Sequence, residues 1–140
     1  MQFEFSTATQ IIFGAGKARE IGAFAQTQGR RAMVVTGRSP ERADIILEQL
    51  SEQRIGSIIF RVPGEPTTDI ALAGAQKARD AACDWVIGIG GGSAIDTGKV
   101  IAALLTNKGK LMDYLEVIGK GKPIEKMPAP YVAVPTTAGT

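Results

Sequence analysis

Apolar residues along the chain fall into short continuous runs that alternate with segments of helical periodicity. Continuous runs bounded by glycine, proline and polar residues predict strands that are buried on both faces. Those runs are "RRAMVVT", "IGSIIF", "DWVIGI" and "APYVAVP". In the segments between them, apolar residues recur at helical spacing, as at Ile45, Ile46 and Leu50. This alternation predicts an α/β fold, with a parallel sheet covered by helices on both faces.

Capping residues and breakers give the expected helix boundaries. Helices are predicted from about Lys17 to a stop at Gly29, from Pro40 with Ser39 as N-cap, over roughly Asp69 to Ala82 with Thr67 or Thr68 as cap, after a run of glycines to about Leu105, and around Leu111 to Leu115. Ahead of them, "FEF" and "QIIF" predict an N-terminal β-hairpin across Ser6 to Thr9.

Composition sets limits on the class of protein. The 140 residues suit one domain, and 44% hydrophobic with 21% charged residues is typical of a globular chain. A net charge of +2 gives no reason to expect a nucleic-acid or membrane partner. The lysine-rich stretch from Thr106 to Pro130 is interpreted as a solvated connection, because no aromatic ladder accompanies its charge; a basic binding patch is the alternative.

Cysteine and histidine counts narrow the chemistry further. Cys83 is the only cysteine, so an intrachain disulfide is excluded and a small buried side chain is expected. The chain has no histidine, which excludes histidine acid–base catalysis, histidine metal ligands and a Ser-His-Asp triad. The N-terminus lacks the features of a signal peptide and no apolar run reaches membrane-span length, so a cytoplasmic location is expected.

The segment "GIGGGSAIDTGK" at residues 88–99 carries the strongest chemical signal. Consecutive glycines between a strand and a helix let backbone N–H groups approach an anion, and Ser93 adds a hydroxyl. The spacing fits neither a P-loop nor the G-x-G-x-x-G fingerprint, which fails at Ser93. The motif therefore favours a phosphate site. The alternative is a tight turn whose glycines serve only packing.

A second motif, "VAVPTTAGT", places hydroxyl residues directly after the last predicted strand. Taken alone, this stretch is an ordinary polar loop. Because the carboxyl ends of parallel strands lie at one edge of a sheet, these hydroxyls are expected beside the glycine turn.

Together with "FGAGK" and "PGEPT", these motifs strongly resemble the iron-containing (group III) alcohol dehydrogenases, in the right order and over the whole chain. The resemblance implies a Rossmann-like N-terminal domain, residues 1–140, that binds NAD(P), and a metal-dependent oxidation of a small alcohol or reduction of an aldehyde. Residue by residue it implies cofactor contacts at Gly37, Arg38 and Ser39 beside the adenosine ribose, Glu65, Pro66 and Thr67 near the adenine, Gly91, Gly92 and Ser93 at the diphosphate, Asp96 generally in the cofactor site, and Thr136, Thr137 and Thr140 along the cleft.

The resemblance also implies what this chain lacks. In that family a C-terminal helical domain holds Fe²⁺ or Zn²⁺ through one Asp and three His, and the family continues "GTGSE" where this chain ends. The chain is thus expected to be a cofactor-binding portion, without metal ligands and inactive alone. A stand-alone nucleotide-binding module is an alternative. So is a branch related to glycerol dehydrogenases and dehydroquinate synthases, although "PTTAGT" argues against it.

The end of the second core strand, taken here to be "RRAMVVT", bears on cofactor choice. NAD-specific sites usually place a carboxylate there, to accept from the ribose 2′-hydroxyl. Here Gly37, Arg38 and Ser39 follow the strand, and the first acid is Glu41 in the next helical turn. Arg38 and Ser39 can donate to a 2′-phosphate, so NADP(H) is expected to bind at least as tightly as NAD(H). Self-association into a homo-oligomer is also expected, through apolar surface and sheet edges.

Overall fold

The computed structural model describes residues 10–137, and their core is a parallel four-stranded sheet in the order β2-β1-β3-β4. The strands are β1 (Arg31–Thr36), β2 (Gly56–Arg61), β3 (Trp85–Gly90) and β4 (Tyr131–Pro135). The α-helices are α1 (Ile21–Ala25), α2 (Asp44–Glu52), α3 (Thr68–Asp80), α4 (Gly92–Thr106) and α5 (Leu111–Tyr114), and short 3₁₀ helices cover Lys17–Glu20 and Pro40–Ala43. The predicted α/β fold is confirmed.

Helices cover both faces of this sheet, as the sequence predicts. On one face α1 and α2 pack against alternate residues of β1 and β3, including Val34 and Ile87. On the other face α3 and α4 pack against the intervening residues, including Met33 and Val86. Alternate residues of a strand point to opposite faces, so two separate apolar clusters result. Cys83 is buried in the second, as expected.

Burial on both faces holds only for the central strands. All of β3, and β1 after its first residue, is buried, whereas β2 and β4 are half exposed because each pairs, within residues 10–137, with a strand on one side only. The expectation of strands apolar on both faces is therefore wrong for the two edge strands.

Several helix ends also differ from expectation. Ser39 makes no side-chain capping bond, and the chain passes through the 3₁₀ turn Pro40–Ala43 before α2 begins at Asp44. The predicted first helix is a 3₁₀ turn followed by the short α1, which ends before Gly29. In contrast, Thr67 caps α3 as predicted, its hydroxyl accepting from the Ile70 N–H at 3.2 Å.

The predicted N-terminal hairpin falls largely on residues 1–9, outside the described part of the chain. Its second segment, residues 10–13, belongs to no strand within residues 10–137. Within that range no helix is long and apolar enough to cross a membrane.

Candidate nucleotide-binding site

The order of the strands defines a crevice at the carboxyl edge of the sheet. From β1 the chain turns outward through α2 to β2, whereas from β3 it turns the other way through α4 to β4. Helices α2 and α4 pack on opposite faces of the sheet. The ends of β1 and β3 therefore flank the topological switch point, where ligands of open α/β sheets bind.

Two glycines approach closely at this switch point. Gly90 has a φ of 143°, which disfavours any residue with a side chain. A Cβ there would lie 3.1 Å from the Ala94 Cβ and 3.5 Å from the backbone nitrogen of Gly37. A side chain at Gly90 would thus be in van der Waals contact with the backbone at the end of β1.

The glycines of the motif divide into two groups. A Cβ at Gly88 would collide with the Tyr131 hydroxyl, and one at Gly98 would lie 2.8 Å from Tyr131 Cε2. These two glycines make room for a ring between the sheet and α4. By contrast, a Cβ at Gly92 would meet only an Asp96 carboxylate oxygen, at 4.0 Å. The packing role therefore applies to Gly88 and Gly98, while the backbone at Gly92 is open.

The open glycines begin α4. Gly91 is the N-cap residue and no side chain caps this helix end. The first N–H groups of a helix have no partner within it, and together with the helix dipole they favour an anion. Ser93 lies in the first turn, half-buried, and its carbonyl accepts from the Thr97 hydroxyl at 2.7 Å.

The threonines at the end of β4 lie beside this turn, as the sequence predicts. The Thr136 N–H donates to the Gly90 carbonyl at 2.9 Å, which continues the β3–β4 pairing beyond the strands. The Thr137 methyl would lie 3.7 Å from a Cβ at Gly91. Thr140 lies outside the described residues.

The end of β1 is held against the end of β2. The Arg38 Nε donates to the Pro63 carbonyl at 3.0 Å, and an Arg61 amino group donates to the Arg38 carbonyl at 3.0 Å. A Cβ at Gly37 would meet nothing within 4 Å, so open space borders this backbone. Ser39 is half-buried next to it.

Glu65, Pro66 and Thr67 are exposed in the loop after β2, next along the sheet from Gly37. The Thr67 side chain serves as the N-cap of α3. Asp96 is inside α4 and pairs with Lys99 at 3.6 Å, an i,i+3 contact between two exposed side chains. Such a pair adds little stability, and Asp96 does not cap the helix.

Three residues at this edge escaped the sequence analysis. The Thr36 hydroxyl is fully buried one residue before Gly37 and has no hydrogen-bond partner. Arg61 ends β2, and Arg42 donates to the Thr136 hydroxyl at 3.0 Å. The position of Thr36, a single polar residue at the end of an apolar strand, could have indicated its role from the sequence. Nothing in the local sequence distinguishes Arg42 and Arg61 from solvated side chains.

In the described part of the chain, Arg38, Arg42 and Arg61 form no ion pair with a carboxylate. Within residues 10–137 the ion pairs join Lys17 to Glu20, Lys99 to Asp96, and Lys120 and Lys122 to Asp113. Arg38, Arg42 and Arg61 instead bond to backbone carbonyls or a hydroxyl. The carboxyl edge therefore presents cationic groups whose charge is left for an anion.

The lysine-rich stretch contains the predicted short helix, α5. Asp113 takes up two of its lysines, Lys120 at 2.9 Å and Lys122 at 3.6 Å. The hydrogen bond from Lys120 is the main reason that the pKa of Asp113 is lowered. The positive charge of this stretch is thus partly neutralised within the loop, in agreement with the interpretation as a solvated connection.

The residues that the structure describes do not fit a catalytic metal. The sequence has no histidine, and in residues 10–137 no three Cys, Asp or Glu side chains lie together as ligands. They do fit a dinucleotide, since an open glycine turn, hydroxyls and three arginines share one edge, and these arginines have no carboxylate partner within residues 10–137.

The fold is a Rossmann-like α/β unit with a candidate anion site at the carboxyl edge of its sheet. Comparison with known proteins makes the assignment narrower. A family model described as "Iron-containing alcohol dehydrogenase" matches residues 8–140. The chain belongs to the iron-containing alcohol dehydrogenase family, as the motifs indicate.

Comparisons with individual proteins agree with this family assignment. The chain is 35% identical to a 4-hydroxybutyrate dehydrogenase of Cupriavidus necator over 79% of its own length and 30% of that protein. It is 32% identical to a choline dehydrogenase of Bacillus subtilis over 97% of its length and 35% of that protein. A solved 1,3-propanediol oxidoreductase superimposes with a TM-score of 0.89 at 30% identity, covering 100% of this chain and 37% of the other. The chain thus spans about a third of the length of these relatives.

Proposed function

We propose that this chain binds NAD(P)(H) and is the nucleotide-binding domain, residues 1–140, of a metal-dependent alcohol dehydrogenase. The observation that carries the proposal is the open glycine turn at Gly91–Gly92, which lies at the switch point of the sheet beside Thr137. The cofactor, when bound, accepts or donates hydride. The relatives named above act on hydroxyl substrates, so a small alcohol or the matching aldehyde is the proposed substrate class.

Each predicted contact has a place in this proposal. Backbone N–H groups of Gly91, Gly92 and Ser93 face the diphosphate, while Gly37, Arg38 and Ser39 border the adenosine ribose. Glu65, Pro66 and Thr67 border the adenine, and Thr136 and Thr137 line the cleft. The motif match adds Thr140, which is outside the described residues, to the proposed contacts. Asp96 stays at the rim, since a carboxylate repels the diphosphate.

NADP(H) is the proposed preferred cofactor. Open space beside Gly37 leaves room for a 2′-phosphate, and no carboxylate is placed there to accept from a 2′-hydroxyl. With its Nε bonded to Pro63, the Arg38 guanidinium is held at this strand end with amino groups still able to donate. A charged contact of this kind weakens in salt.

The chain by itself is proposed to be catalytically inactive. Hydride transfer needs alcohol, nicotinamide and a polarising group held together. Residues 10–137 offer no metal-ligand cluster. A cytoplasmic location and self-association complete the proposal; exposed Phe13, Val117 and Met127 are apolar surface that a second copy can cover.

Calorimetry on the 140-residue chain tests the binding. We expect NADPH and NADH both to bind, NADPH at least as tightly, with the difference shrinking at high salt. Arg38→Ala is expected to weaken NADPH and to leave NADH nearly unchanged. Absence of binding by either dinucleotide would refute the proposed function, and NADH binding tenfold tighter than NADPH would refute the preference. Robust turnover of alcohols by this chain with added Fe²⁺ or Zn²⁺ would refute the expected inactivity.

A further inference from the structure

We propose that Arg42 binds the diphosphate of the dinucleotide and that Thr136 acts as its positioning residue; this rests on the proposed function. Arg42 extends from the 3₁₀ turn Pro40–Ala43, which follows β1, and reaches the end of β4. Its guanidinium therefore bridges the carboxyl end of β3, which lies between these two strands in the sheet.

Hydrogen bonds relate Arg42 to the glycine turn. Its Nη1 donates to the Thr136 hydroxyl at 3.0 Å, and the Thr136 N–H donates to the Gly90 carbonyl at 2.9 Å. Thr137, the next residue, lies against Gly91, the N-cap of α4. The guanidinium is thus fixed alongside the start of α4.

Arg42 and α4 approach this edge from opposite faces of the sheet. Ala43, next to Arg42, packs in the cluster that contains α2, whereas α4 packs in the cluster on the other face. An anion at the end of β3 would meet the N–H groups of α4 on one side and a guanidinium on the other. A diphosphate carries enough oxygens to use both.

The available donors and charge suit this role. A guanidinium has five N–H donors, and the bond to Thr136 uses one of them. No carboxylate pairs with Arg42 within residues 10–137. A fork of N–H groups with uncompensated charge matches phosphate oxygens.

Position also separates Arg42 from the residues assigned to the 2′-phosphate. Arg38 bonds to Pro63 beyond β2, at the far end of the sheet from β4. Arg42 bonds to the end of β4. It is therefore placed to contact the part common to both dinucleotides, so it should raise the affinity for each without discriminating between them.

The test measures NADPH, NADH and ADP-ribose binding to the 140-residue chain by calorimetry. Arg42→Ala is expected to weaken all three by a similar factor, about tenfold, and to leave the NADPH/NADH ratio unchanged. Arg42→Lys should recover part of the affinity, because it restores the charge but not the fork. Arg30→Ala, at the amino end of β1 on the opposite edge, serves as the matched control and should change nothing.

Thr136→Val isolates the positioning role. If Thr136 acts through Arg42, this variant should weaken binding in the wild-type chain and have no further effect in Arg42→Ala. Equal binding by wild type and Arg42→Ala would overturn the inference while leaving the proposed function intact. If Arg42→Ala weakened NADPH binding alone, the inference would also be overturned, since Arg42 would then contact the 2′-phosphate rather than the diphosphate. A wild-type chain that binds none of the three ligands would refute the proposed function itself.

Discussion

The Tyr131 hydroxyl donates a 2.7 Å hydrogen bond to the Ile95 carbonyl, joining the first residue of β4 to the first turns of α4. The ring fits there because Gly88 in β3 and Gly98 in α4 have no side chains. This contact fixes α4 against the sheet, and with it the direction of the helix end at the glycine turn. By making room for Tyr131, Gly88 and Gly98 thus help to position the glycine turn at Gly91 and Gly92.

Two matched alanine substitutions test this division of roles. Gly98→Ala should lower the free energy of unfolding by about 1–3 kcal/mol, because the new methyl would lie 2.8 Å from the Tyr131 ring. Gly92→Ala, in the same helix, should have little effect or be stabilising, since its Cβ meets only the Asp96 carboxylate at 4.0 Å. Urea unfolding of the two variants measures both. Equal destabilisation would contradict the division.

Gly92→Asp tests the anion site itself. The side chain has room, so we expect the fold to be retained. A carboxylate at the start of α4 would occupy the anion position and repel a diphosphate, so dinucleotide binding should be abolished. Calorimetry with NADPH measures this, and Gly92→Ala is the control for bulk without charge. Unchanged affinity would contradict an anion site at the start of α4.

Gly37→Asp tests cofactor choice at the end of β1. Open space beside Gly37 accommodates the side chain. The carboxylate should accept from a ribose 2′-hydroxyl and repel a 2′-phosphate, so the preference should shift toward NADH by about tenfold or more. The ratio of NADPH to NADH dissociation constants checks it. A ratio equal to that of the wild type would mean that the ribose lies elsewhere.

The half-buried phenol of Tyr131 should lower the free energy of unfolding at alkaline pH. Burial, with a smaller contribution from the Asp96 charge, raises the pKa of Tyr131 above its ordinary value. In the unfolded chain the phenol ionises near pH 10, while the folded chain keeps its proton. Because the unfolded state then binds fewer protons, the stability from this group is fully present below about pH 10 and is lost as the pH rises toward the folded pKa.

The variant Tyr131→Phe should lack the pH dependence of stability that arises from the phenol. Near pH 8 the variant should be less stable than wild type by about 1 kcal/mol, the value of one hydrogen bond. Above pH 10 the wild type should lose about 1.4 kcal/mol per pH unit relative to the variant, so the difference should vanish and then change sign by about pH 11. Urea titrations at pH 8 and pH 11 measure it. A difference that stays constant with pH would contradict the assignment.

The sequence by itself determined the fold class and the family. Short continuous apolar runs between turn residues predict buried strands, as in β1 and β3, and Thr67 marks a helix start by a local rule. The motif at residues 88–99 and the threonines after β4 were readable because their chemistry depends on neighbours in the chain. Ser39 shows the limit of such rules, since it makes no side-chain capping bond and the chain after it forms a 3₁₀ turn, whose last residue, Ala43, is buried in the core.

Tertiary structure decided which strands lie at the sheet edges and which residues meet at the carboxyl edge. The Arg42–Thr136 bond joins residues that are 94 positions apart. The roles of Gly88 and Gly98 depend on Tyr131, which is distant in sequence. Local patterns carry no information on such pairs, because the order of strands in the sheet brings them together only after the whole α/β unit has formed.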